Sequence, residues 1–152
     1  MENSTMIKKD SSKVTGMVNV VVRDDAGKIK QEFTVPNLVV DTGLDFIASR
    51  MKDTTDAAMS HMAVGTDNTA ANAADTTLGT ELARQALASS TVTDNSIAYV
   101  ATFAAGTGTG ALTEAGLFND PTTGTMLCRT VFAVINKGAA DSMTVTWTVT
   151  IS

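Results

Sequence analysis

Met143-Thr144-Val145-Thr146-Trp147-Thr148-Val149-Thr150-Ile151 is the stretch that decides the fold. Methionine, valine, tryptophan, valine and isoleucine fill the odd positions, and threonine fills every even one. Side chains of a strand point alternately to its two faces, so the segment is a β-strand with one apolar, core-facing side. The threonine side suits a pleated, partly solvated surface.

Working outward, the same period recurs. Ile97, Tyr99, Ala101 and Phe103 alternate with Ala98, Val100 and Thr102, and Val18, Val20 and Val22 alternate with Met17, Asn19 and Val21. Asp24-Asp25-Ala26-Gly27 supplies turn chemistry, with Gly27 free to take a positive φ. Ile29, Gln31, Phe33 and Val35 then resume the alternation, so residues 16–36 read as a β-hairpin that Pro36 ends. Met62-Ala63-Val64 reads as a short buried strand ending at Gly65. Met126–Ile135 is apolar almost throughout, as expected of a strand buried on both faces or set in an interface.

One segment has helical period. Leu44, Ile47, Ala48 and Met51 fall at i, i+3, i+4 and i+7, which predicts a helix of about three turns with that stripe buried. Thr42 is the expected cap, with Asp45 three residues on in a capping-box-like arrangement. Leu78–Ala86 is expected to begin as a helical turn and to be extended by Leu87. Thr66–Thr77 and Gly106–Gly110 read as loops, and Gly116 and Gly124 as turn or bulge residues. The expected fold is mainly β, an antiparallel β-sandwich or jelly-roll-like barrel with one short α-helix that packs on a sheet or plugs a barrel end. Residues 1–13 read as a flexible N-terminal arm, ordered against a neighbour, and residues 14–152 as a single β-rich domain.

Composition bounds the function classes. The 152 residues suffice for one domain with a core of its own. Only 18% of residues are charged and the net charge is −5, which argues against a general nucleic-acid binder. The one basic cluster is Lys8, Lys9 and Lys13, with Asp10 among them. No run of about 20 apolar residues is present to span a membrane, and MENSTMIKKDSSK has no apolar core of a secretory signal.

Chemistry-bearing motifs are sparse. His61 is the only histidine and Cys128 the only cysteine. Cys128 lies inside the apolar Met126–Ile135 run and reads as a buried, inert thiol. His61 reads as an ordinary strand-start residue. No Cys-x-x-Cys pair or His-Glu-x-x-His sequence is present for zinc. Gly106-Thr107-Gly108-Thr109-Gly110 is followed by Ala-Leu-Thr-Glu rather than Gly-Lys-Ser/Thr, so it is not a phosphate loop. Asp24, Asp25, Asp53 and Asp56 lack calcium-loop spacing. Asp67, Asn68, Asn72 and Asp75 form the loop richest in oxygen ligands, read as a loop that these residues keep soluble. Glu114 stands among apolar residues without a second carboxylate, and an ion pair with Arg84 or Arg129 is the expected outcome. The sequence therefore predicts no catalytic, cofactor-binding or metal residues, no cofactor and no enzymatic activity.

Spaced short motifs carry a resemblance. They run Asn37-Leu38-Val39-Val40-Asp41-Thr42-Gly43, Met62-Ala63-Val64-Gly65-Thr66 and Leu78-Gly79-Thr80-Glu81-Leu82-Ala83-Arg84. They continue through Glu114-Ala115-Gly116-Leu117-Phe118, Met126-Leu127-Cys128-Arg129-Thr130 with Val131-Phe132, then Lys137, Asp141-Ser142 and Val145-Thr146-Trp147-Thr148-Val149. Together they cover most of residues 16–152, and in them the chain resembles a family of small virion structural proteins of tailed bacteriophages. The resemblance implies a virion component made in the host cytoplasm and placed on the capsid surface. It would be a decoration or cement protein that forms a homotrimer, binds the major capsid protein and stabilises the head. A tail, fibre or baseplate component, bound to other virion structural proteins, is the alternative. No nucleic-acid or membrane partner is implied.

Overall fold

Alternation along the chain becomes ten antiparallel strands in two sheets. The structure, a computed structural model, describes residues 11–152. In chain order the elements are β1 (Val14–Arg23), β2 (Ile29–Pro36), β3 (Leu38–Val39), α1 (Asp41–Lys52), β4 (His61–Gly65), β5 (Glu81–Ala86), β6 (Ser89–Thr93), β7 (Ser96–Phe103), β8 (Gly110–Phe118), β9 (Met126–Lys137) and β10 (Ser142–Ile151). One sheet runs β2-β1-β10-β7-β6 and the other β3-β9-β8-β4-β5, five strands each. Every pairing is antiparallel. The two sheets are separate ladders, the mainly β, antiparallel sandwich with one short helix that the sequence predicts.

The predicted hairpin closes as its residues dictate. Gly27 takes φ 82°, and an Asp24 carboxylate oxygen accepts the backbone N–H groups of Ala26 and Lys28 at 3.0 and 2.9 Å. From β1, Val18, Val20 and Val22 face the core. They meet Tyr99, Ala101 and Phe103 of β7 and Met143, Val145, Trp147 and Val149 of β10 in one cluster with residues of the other sheet. Trp147 sits fully buried between Val18 and Tyr99 in register. Ile151 departs from the expected alternation, being 49% exposed at the strand's end.

The apolar β9 run is buried on both faces as far as Thr130. Its cover comes from within the chain: Val40, Leu78 and Phe118 form a second cluster with Ala63 and Met126. Ala63 lies between Met62 and Val64, which belong to the main core; alternation therefore places this small cluster on the sheet's other side. Farther along, Ala133 and Val134 reach the surface.

The helix forms where predicted but buries a different face. Leu44 and Met51 are exposed at 46% and 86%, whereas Gly43 and Phe46 are buried. The reason is the approach of α1 to β9. A Cβ added at Gly43 would run into the Leu127 backbone carbonyl, so glycine is what lets the helix lie this close. Nor does Thr42 cap the helix. Val40 is the N-cap, without a side-chain cap, and the Thr42 hydroxyl donates instead to the Met126 carbonyl at 2.9 Å. Gly43→Ala is thus expected to lose about 1–3 kcal/mol in urea denaturation, the usual range for overpacking. Helix propensity alone would give a gain of up to about 1 kcal/mol, so a stabilised variant would show that the contact is not tight.

Four strands were not legible as such, the two-residue β3 among them. The Leu78–Ala86 stretch holds no helical turn; it is extended from Glu81 onward as β5. β6 and β8 complete the sheets. At the start of the domain, Lys13 continues the β1–β10 ladder: its N–H donates to the Ser152 carbonyl at 2.6 Å and its carbonyl accepts from the Ser152 N–H at 2.8 Å. Of the rest of the predicted arm, Ser11 and Ser12 are exposed and irregular, and residues 1–10 lie outside the described residues.

Candidate functional site

Glu114 and Arg129 are the only fully charged pair placed deep in the sandwich among the described residues. Glu114 is on β8 and Arg129 on β9, at 0% and 2% exposure. Both charges leave water at high cost unless every lone pair and proton finds a partner. One Glu114 oxygen accepts Arg129 Nη2 at 2.9 Å and the Gly79 N–H at 3.2 Å, and the other accepts the Thr80 N–H at 3.1 Å. Arg129 Nη1 donates to Asp75 at 3.1 Å, and Asp67 lies 4.0 Å from Nη2. Of the two expected partners, Arg129 holds Glu114. Arg84 instead pairs with Glu81 at 2.7 Å and stacks over Phe118, 3.8 Å from the ring centroid.

The arrangement pins the long loop between β4 and β5 onto the sheet. Asp67 and Asp75 bring the loop's middle to Arg129, and Gly79 and Thr80 bring its end to Glu114. Both loop carboxylates are also bonded within the loop. Asp67 accepts the Thr69 N–H and hydroxyl, which holds its carboxyl below the usual range, and Asp75 accepts the Asn72 N–H at 2.8 Å. A polar hollow of about 450 Å³ remains beside Arg129, between Asp67, Asn72, Asp75 and Gly79. Among the described residues no group of three or more histidine, cysteine, aspartate or glutamate side chains is placed to hold a metal ion.

Other chemistry-bearing residues stand apart. His61 opens β4, its Nδ1 2.8 Å from the Ser60 hydroxyl. Cys128 is fully buried in the core, and burial pushes its thiol far up, so the nucleophilic thiolate is disfavoured. Asp24 serves the first hairpin, Asp53 accepts the Thr55 N–H at 3.0 Å, and Asp56 accepts the Ser49 hydroxyl at 3.1 Å. Gly106 and Gly108 take φ 82° and 67° in the turn ahead of β8, a loop as expected.

The feature that distinguishes the surface is the outer face of the first sheet. In register across β1, β10, β7 and β6 lie Asn19, Thr146, Val100 and Ser89. The neighbouring row is Met17, Thr148, Ala98 and Thr91. From Thr15 to Val21 on β1, and along all of β10, β7 and β6, no residue is ionisable except the core-facing Tyr99. Hydroxyls on this face satisfy one another, as in Ser96–Thr150 at 2.7 Å and Thr102–Thr144 at 3.3 Å.

This face ends at an open edge. β6 reads Ser89-Ser90-Thr91-Val92-Thr93, exposed throughout, with neither charge nor proline to block pairing. The opposite edge, β2, carries Lys30, Glu32 and Pro36, and β5 carries Glu81 and Arg84. Sequence reading missed this surface because β6 has no apolar period. The available signal was the absence of any charge from Leu87 to Thr93. No family model matches the chain, and no curated protein or solved structure matches it either.

Proposed function

We propose that the chain is a non-enzymatic structural protein of a tailed-bacteriophage virion: a capsid decoration or cement protein that self-associates as a homotrimer, binds the major capsid protein and stabilises the head. The observation that carries this reading is the uncharged outer face of the β1-β10-β7-β6 sheet, running without a break to the unguarded β6 edge. Interface centres are depleted in charge, and an unguarded edge invites pairing with another chain. Four strands about 4.8 Å apart and seven residues deep at about 3.4 Å each give roughly 450 Å² of such surface. A standard interface takes about 800 Å² per partner, so the face supplies a centre and the flanking loops a rim.

The absence of catalysis rests on how the reactive groups are used. Glu114 is consumed by Arg129 and two backbone N–H groups, Cys128 is sealed in the core, and the His61 ring is paired through Nδ1 with the Ser60 hydroxyl. The spaced motifs that carry the resemblance to phage virion proteins fall on this same framework: Glu114 and Arg129, the Gly79-Thr80 loop end, Gly43 against Leu127, and Trp147 in the core.

Quantitative mass spectrometry of purified virions tests the proposal. Copies in the hundreds are expected, with particles lacking the protein breaking at lower temperature. A handful of copies would place the chain in the tail, fibre or baseplate instead, and absence from the virion would overturn the structural role.

A further inference from the structure

The β6 edge offers a defined set of backbone groups. Its hairpin with β7 closes through the two-residue loop Asp94-Asn95, with Thr93 opposite Ser96 and Asp94 at φ 52°. The pair beside such a loop is hydrogen-bonded. Backbone groups of successive strand residues turn to opposite sides, so Thr93, Thr91 and Ser89 bond to β7. In keeping with this, the Val100 carbonyl turns towards β6, where it accepts the Ala88 N–H at 2.7 Å. Ser90 and Val92 therefore turn an N–H and a C=O each to the open side. Among the described residues no strand pairs with β6 there, and Val92 leaves its apolar side chain 70% exposed.

An antiparallel copy of the same strand satisfies these groups all together. With a two-fold axis at Thr91, Ser90 of each copy faces Val92 of the other in two hydrogen-bonded pairs, and Ser89 faces Thr93. Charge decides for a second copy over a different chain. Side chains beside a two-fold axis meet their own kind, so a charged edge repels itself, whereas a different chain can carry the opposite sign. From Leu87 to Thr93 no residue is charged. Asp94, the next charge along the chain, would stand about 20 Å from its counterpart, beyond the screening length of about 8 Å.

We propose that two copies of the chain pair antiparallel through their β6 edges about Thr91, joining two five-stranded sheets into one continuous sheet. The axis is perpendicular to the sheet, so the two uncharged outer faces come to lie side by side, about 900 Å² in all. That is the size of one side of a standard interface. The edge contact is itself small and belongs to the weak class, formed at high local concentration. Being two-fold, it is separate from the three-fold contact of the proposed homotrimer, and it does not depend on the virion reading.

The test is disulfide trapping at millimolar protein in a glutathione buffer, with single cysteines on the outer face. The native Cys128 is fully buried and serves as the blank. Opposite residues in a non-hydrogen-bonded pair lie within disulfide reach, so Thr91→Cys should crosslink at least about tenfold faster than Thr102→Cys. Thr102 is equally exposed on β7 but far from the axis. Ser89→Cys and Thr93→Cys should each crosslink slowly alone and fast when combined in one chain. Thr91→Lys, which sets two like charges face to face, should halve the mass of the largest species in sedimentation equilibrium. What remains is a trimer if the homotrimer exists and a monomer if it does not, so the two readings fail separately. Trapping at Thr91→Cys no faster than at Thr102→Cys, or a mass unchanged by Thr91→Lys, would overturn the proposal. So would fastest trapping at Thr93→Cys alone, which would put the axis elsewhere.

Discussion

Replacing Glu114 by alanine is expected to destabilise the domain by about 3–5 kcal/mol, the cost of stranding one partner of a buried ion pair. Arg129 would keep its charge at 2% exposure, and the Gly79 and Thr80 N–H groups would lose their acceptor. The melting temperature should fall on the order of 10 °C for a chain of this size. The double variant Glu114→Leu/Arg129→Met should lose much less, because exchanging a whole buried pair for apolar groups is often near neutral. Asp67 and Asp75, at 29% and 26% side-chain exposure, can turn to water when the arginine goes. A Glu114→Ala protein melting within a degree or two of wild type would mean that the pin contributes little.

Trp147→Ala should cost a similar amount, about 3–5 kcal/mol, by opening a cavity between the sheets. Trp147 is the largest fully buried side chain of the core. Its indole Nε1 is buried without a hydrogen-bond partner, so the residue serves by volume rather than by its polar handle. Trp147→Phe removes that orphan donor and keeps most of the ring, and should cost less than half as much. Thr148→Ala, one residue along on the outer face, should change stability by no more than about 0.5 kcal/mol. Chemical denaturation of the three variants checks the order. Equal losses at positions 147 and 148 would contradict the burial of one face alone.

Where one strand face meets the core and the other meets solvent, the sequence alone sufficed. β1, β7 and β10 read correctly because their period is local information. β8 did not, since Glu114 and Gly116 interrupt its apolar run, and a buried glutamate makes sense only beside an arginine on the neighbouring strand. β6 was invisible because an edge strand exposed on both faces has no period to show. The helix was found from its period, but its buried face was misassigned. Apolar content favoured Leu44 and Met51, while the steric allowance at Gly43, set by a backbone carbonyl 84 residues away, chose the side that packs. The same limit governed the ion pair. Sequence offered Arg84 and Arg129 as equals, and only the β8–β9 register, with Gly116 opposite Arg129, brings one of them to Glu114.

The pairing of Lys13 with Ser152 sets how the domain answers to force. β1 and β10 are antiparallel neighbours whose free ends lie together, so tension applied between these two residues does not shear the ladder. It peels the strands apart like a zipper, loading one pair of hydrogen bonds at a time, first at Lys13–Ser152 and then along Val14–Ile151 and Thr15–Thr150. Sequential rupture needs far less force than breaking ten residue pairs at once. A partner that pulled on these two residues would therefore open the domain at low force, whereas compression across the sheets would leave the β1–β10 ladder intact.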